Sequence, residues 1–118
     1  RRVLFRSASG DFLSALQSKQ RALDIRVKLF GEEHPDTAEC YFSLGETQHA
    51  LDDSSSAVQC FQRALETRIK LFGEEHPDTA ECYFSLGETQ HASGDFSSAL
   101  QSHQRAFDII TNLSGKEH

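Results

Sequence analysis

Six histidines and three cysteines in a chain of 118 residues are the side chains best able to hold a metal or act as nucleophiles. His34 and His76 occupy one position in two copies of the same block, and so do His49 and His91. Packed helices keep roughly 8–10 Å between their axes, whereas zinc bonds its ligands at about 2.0–2.3 Å. Copies one block apart are therefore not expected to share an ion. His34 also precedes a proline, where starting a helix is role enough. Cys40, Cys60 and Cys82 show no C-x-x-C spacing, and Cys40 and Cys82 are again copies of one position. An odd count without a framework reads as reduced thiols of an intracellular, cytoplasmic protein. Cys40 and His49 lie nine residues apart on one expected helix, which is about two and a half turns, so they form no nucleophile–base pair. Glu32-Glu33 and Glu74-Glu75 are paired carboxylates, but in an exposed linker they lack the desolvation that splits two pKa values for acid–base work. They read as solvated charge. No P-loop or G-x-G-x-x-G is present. The expectation is a protein with no catalytic residues, no metal and no cofactor.

What positions these side chains is a repeat. The block LFGEEHPDTAECYFSLGETQHA runs from Leu29 to Ala50 and recurs unchanged from Leu71 to Ala92, an offset of 42 residues. The register extends beyond the identical block through Asp11, Asp53 and Asp95, through Ala15, Ala57 and Ala99, and through Ala22, Ala64 and Ala106. His34, His76 and His118 keep the same step. A fixed period of about 20–50 residues marks a stacked-repeat architecture in which each unit contacts only its neighbours.

Composition limits the partners. The chain is 37% apolar and 25% charged, with 12 basic and 18 acidic residues for a net charge of −6, and it has no apolar run long enough to span a bilayer. Residues 1–7 resemble the translation of a sequencing adapter and precede the register, so they are set aside as a non-native leader; the alternative is the end of a preceding helix. Without Arg1, Arg2 and Arg6 the charge falls to −9. An acidic body argues against nucleic acid, whose footprint is a basic patch, and against an anionic membrane surface. Residues 8–118 then form one array: a half repeat over 10–31 and full repeats over 34–73 and 76–115. At least three repeats are usually needed for stability, so the array reads as part of a longer one.

The elements are all helical. The first is expected from Gly10 to Phe30, with Asp11 as its N-cap and apolar residues at helical spacing from Phe12 to Leu29. Gly31 stands where a left-handed residue closes a helix. The next helix opens at His34-Pro35-Asp36, since proline suits the first helical position and Asp36 suits the positive end of the helix dipole. It ends near Leu51. Asp52-Asp53 make a turn short enough to force an antiparallel return, and Ser54 to Phe72 form the following helix. Pro77 to Ala92 and Phe96 to about Leu113 repeat the pair. The order is B-A-B-A-B, with Gly45, Ala57 and Ala64 placed where antiparallel helices approach.

The run Tyr41-x-x-Leu44-Gly45 with Ala57-x-x-x-Phe61-x-x-Ala64-Leu65 resembles the tetratricopeptide signature. Tyr83, Leu86, Gly87, Gly94, Phe96, Ala99 and Ala106 carry it in the second copy. The 42-residue period is similar to that of kinesin light chains and nephrocystin-3-like proteins. The expected tyrosine before the turn is replaced by Gln48 and Gln90, and the position of Phe61 holds Lys19 and His103 in the other B helices. The resemblance implies an all-α solenoid of antiparallel helix pairs with the A helices on its concave face. It implies a groove for a partner peptide lined by Glu39, Phe42, Ser43, Glu46 and His49, and by Glu81, Phe84, Ser85, Glu88 and His91. A phenylalanine flanked by carboxylates and an imidazole in each repeat would suit a basic and apolar segment. Two other readings stay open at this stage. The phenylalanines pack between repeats and leave a solvated face, or the array is a spacer that self-associates through exposed ends near Phe107, Ile109 and Ile110.

Overall fold

The computed structural model describes residues 2–116, and the side chains of residues 11–115. His118, the third copy of the linker histidine, lies outside the described residues. Five helices follow one another: α1 (Arg2–Phe30), α2 (Pro35–Ala50), α3 (Ser54–Phe72), α4 (Pro77–Ala92) and α5 (Phe96–Lys116). Each packs on the next, and α2 also touches α4, while α1 and α3, and α3 and α5, stay apart. A stack whose A helices meet and whose B helices diverge curves toward the A side, so α2 and α4 line its concave face.

The linkers between repeats are built twice from the same parts. Gly31 and Gly73 adopt φ of +87° and +93°, a region glycine enters without steric cost. The Thr37 and Thr79 hydroxyls, fully buried, donate to the Gly31 and Gly73 carbonyls at 2.8 Å. His34 and His76 serve as N-caps: each Nδ1 accepts the amide two residues on, from Asp36 at 3.1 Å and Asp78 at 3.0 Å. The imidazoles stack on Phe30 and Phe72, with centroids 4.4 and 4.6 Å apart. This is why the histidines precede the prolines: the ring satisfies one orphan amide and caps the end of the previous helix. The linker carboxylates are not simply solvated, as the sequence suggested. Glu32 pairs with Arg63, Glu33 with Lys70 at 2.5 Å, and Glu74 with Arg105 at 2.6 Å. Lys70, through its hydrogen bond and its charge, holds the Glu33 carboxyl below its ordinary range. These partners lie 31 or 37 residues away along the chain, beyond the reach of a local reading.

Two helix ends depart from expectation. Helix α1 begins at Arg2 and not at Gly10, so Asp11 lies within it. Asp53 and Asp95 do cap their helices, accepting from Ser56 and Ser98. Their own amides bond the Gln48 and Gln90 carbonyls of the preceding A helix, each at 2.9 Å. No proline interrupts residues 2–10, and the helical backbone runs on through Asp11. Helix α5 likewise continues through Gly115 to Lys116.

The core is a strip of Phe42, Ala57, Phe61, Ala64, Cys82 and Leu86, flanked by Tyr41, Val58 and Leu65. Gly45 and Gly87 let each B helix come close: a Cβ on Gly45 would stand 2.9 Å from the Phe61 ring. Where the signature tyrosine is missing, buried glutamine takes its place in two ways. The Gln90 Oε1 accepts from the Ser102 hydroxyl at 2.7 Å, whereas the Gln48 Oε1 has no hydrogen-bond partner. The residue facing Gln48 in the register of Ser102 is Cys60, a weak donor whose thiol burial pushes up. Cys60→Ser should supply the missing donor and stabilise the protein by about 1 kcal/mol. Urea denaturation followed by circular dichroism checks this; a lower midpoint would show that the thiol packs better than the hydroxyl bonds.

Candidate functional site

The ten residues expected to line the groove fall into two groups. Glu39, Glu46, Glu81, Glu88 and His91 are exposed, and Ser43, His49 and Ser85 are half-buried. The second group is the phenylalanines, and they do not act alike. Phe42 is only 7% exposed, with its ring 5.3 Å from that of Phe61 and the Arg68 guanidinium 4.8 Å from its centroid. Phe42 is therefore a core residue and not a groove residue. Phe84, on a helix of identical sequence, is 52% exposed and meets His103 at 5.4 Å. It lines a cavity of about 630 Å³ at the end of the stack. The difference is the following A helix. Cys82 and Leu86 of α4 close over Phe42, and nothing in the described residues does so for Phe84. The aromatic rung expected in each repeat belongs to the seam between repeats.

What remains on the A-helix side is polar and repeats with the helices. At the junction of α2, α4 and α5, a cavity of about 360 Å³ is lined by His49, Glu88, His91, Ala92 and His103. The His49 Nδ1 lies 3.4 Å from the Thr89 hydroxyl, which also donates to the Ser85 carbonyl at 2.9 Å. A second cavity, of about 310 Å³ between α1 and α2, brings Glu39 and Ser43 together with Lys19, Ala22, Arg26 and Cys40. There the Lys19 ammonium donates to the Thr47 hydroxyl at 2.8 Å and to the Ser43 carbonyl at 3.3 Å. Glu81 keeps 56% of its side chain exposed while receiving Arg68 at 3.2 Å. His91 turns its ring toward Phe96, 5.0 Å away and edge-on.

Cys40, Cys60 and Cys82 are all free and buried. Burial pushes the Cys82 thiol up to about 11 against the opposing effect of Arg68, far from the thiolate a nucleophile needs. Among the described residues no three His, Cys, Asp or Glu side chains gather where they could hold a metal ion.

One set of residues escaped the sequence reading altogether. Arg68 on α3 is 6% exposed, and its Nη1 donates to the Asp78 carbonyl at 3.1 Å, to Glu81 at 3.2 Å and to the Cys82 sulfur at 3.2 Å. One repeat earlier, Arg26 on α1 reaches the Asp36 carbonyl and the Cys40 sulfur, each at 3.3 Å. An arginine of each of these B helices thus clamps the first turns of the next A helix. The signal was an arginine at the 42-residue offset, but an arginine on a helix face ordinarily reads as solvated.

Antiparallel helix pairs, stacked at a constant offset with one member of each pair on the concave side, define a helical-repeat scaffold. The chain belongs to the tetratricopeptide repeat family, whose model matches residues 2–70 and 56–112. It is also similar to the crystal structure of BtubC (BKLC) from P. vanneervenii, with 29% identity and a TM-score of 0.84. The match covers 92% of this chain and 44% of that one, so this chain spans under half of the neighbour's length. No curated protein matches. Repeats of this family serve protein–protein interaction, and no helix among the described residues is long and apolar enough to cross a membrane.

Proposed function

We propose that this array holds a basic, extended segment of a partner protein along the concave face of α2 and α4. The observation that carries this reading is the repetition of exposed carboxylates, each set with an imidazole beside it, across adjoining helices. Glu39, Glu46 and His49 on α2 are followed one repeat on by Glu81, Glu88 and His91 on α4, with Ser43 and Ser85 between them. A ladder of negative charge selects lysine and arginine and repels acidic competitors. Its effect weakens with salt, because exposed charges are screened over about 8–10 Å at physiological ionic strength.

The test is a random-peptide display selection against the chain, counter-screened on a Glu46→Lys, Glu88→Lys variant. Lysine- and arginine-rich peptides should emerge, and the double reversal should weaken them by about 100-fold, since like-charge contacts cost several kcal/mol. Both glutamates are exposed, so melting should be unchanged. Selected peptides without basic residues, or a reversal without effect, would refute the ladder. A second reading, a spacer that self-associates, draws on Phe107 and Ile110, which are 65% and 51% exposed at one end of the stack. Ile109, grouped with them from the sequence, is fully buried and takes no part. Light scattering that shows a monomer at high concentration would remove that reading.

A further inference from the structure

Resting on the basic-segment reading above, we infer that the concave face selects one class of segment: a polyproline II stretch with lysine or arginine at every third position. Its rungs are Glu46 on α2 and Glu88 on α4, in register one repeat apart. The other pair of carboxylates is already compensated. Arg68 pairs with Glu81 at 3.2 Å, and Glu39 shares its cavity with Lys19 and Arg26. Among the described residues no ion pair reaches Glu46 or Glu88, and both are exposed. The uncompensated charge therefore forms a single row, and that row crosses the two helices instead of following either.

The distance between the rungs sets the period of what they grip. Helices α2 and α4 are in contact, and the His49 Nδ1 comes within 3.4 Å of the Thr89 hydroxyl to join them. Helices in contact keep roughly 8–10 Å between their axes, so residues in register lie about that far apart. A polyproline II helix has three residues per turn at about 3.1 Å each, which returns a side chain to the same face every ~9.3 Å. A β-strand returns its side chains to one face every second residue, at about 6.6–6.8 Å, and misses the second rung. A strand also needs backbone partners, and the backbone groups along α2 and α4 are spent within the helices. Polyproline II keeps its own backbone in water. A docked helix needs an apolar groove, whereas the neighbours of each rung along its helix, Ser43 and His49 or Ser85 and His91, are polar. Glu88 also lines the cavity of about 360 Å³ with His49, His91 and His103, a recess that a long basic side chain can enter.

The experiment titrates the full 118-residue chain into fluorescent peptides at physiological ionic strength and follows their anisotropy. Two peptides have the same composition, with two prolines for each lysine. In one, lysine stands at every third position; in the other, lysines alternate with prolines and the remaining prolines trail behind. A third peptide keeps the periodic lysines but has glycine for proline. The periodic proline peptide should bind about tenfold more tightly than the alternating one, the gain from a second charged contact. It should also bind about tenfold more tightly than the glycine peptide, whose spacers must be ordered on binding. Glu46→Gln should bring the two proline peptides to equal affinity, because one rung cannot measure a spacing; the side chain is exposed, so the variant folds. Equal affinities for the unaltered chain would overturn the register while leaving the charge ladder standing. A glycine peptide that binds as well as its proline counterpart would overturn the polyproline II conformation. A preference that survives both Glu46→Gln and Glu88→Gln would remove these two rungs from the site. Binding by none of the three peptides would overturn the ladder and its register together.

Discussion

Phe42→Ala is expected to destabilise the protein by about 3–5 kcal/mol, the usual cost of deleting a buried phenylalanine, while Phe84→Ala should cost about 1 kcal/mol. The two side chains stand at the same position of helices with the same sixteen residues. Phe42 fills the space between α2, α3 and α4, and its loss would also take the ring from beneath the Arg68 guanidinium. Phe84 has half its surface in water, and only the buried part counts toward its transfer energy. Urea denaturation of the two variants side by side is the measurement. Equal costs would mean that α4 does not close over Phe42 as described. A binding assay on Phe42→Ala would confound partner recognition with core damage, which is why the groove test above uses glutamates.

Gly45→Ala is the second large effect, expected to destabilise by about 1–3 kcal/mol in the manner of an overpacked core. Its sign is the informative part, because alanine in place of glycine within a helix ordinarily stabilises by about 1 kcal/mol. The added Cβ would meet three atoms of the Phe61 ring at 2.9–3.1 Å, and Phe61 is 1% exposed with no room to retreat. At Gly87 the same Cβ would meet His103 at 2.6 and 2.7 Å. His103, however, is half-buried beside an open cavity and can swing aside, so Gly87→Ala should be nearly neutral. Thermal melts of both variants decide it; a stable Gly45→Ala protein would mean the A and B helices can separate without loss.

The helix boundaries were legible because their signals are local. Pro35 and Pro77 open A helices, Gly31 and Gly73 close B helices, and Asp53 and Asp95 cap the returns. Asp11 shows the limit of such signals. A cap residue offers a bond without compelling a start, and inside the continuous helix α1 the offer is not taken up. The exposed carboxylates of the ladder were legible too, since their spacing along one helix places them on one side. The arginine clamps were not, because Arg68 earns its burial only from a carbonyl, a carboxylate and a sulfur on another helix. The linker glutamates likewise find partners only in the next repeat.

Identical sequences make the division clear. The repeat, its period, its helices and its capping residues were determined by the sequence alone, because each depends on neighbours within a few positions. Whether a given phenylalanine is core or surface was decided only by the tertiary structure. Phe42 and Phe84 have the same neighbours along their helices, yet one is 7% and the other 52% exposed. In a solenoid, burial is conferred by the adjoining repeat, and no residue's own sequence context records whether that repeat covers it.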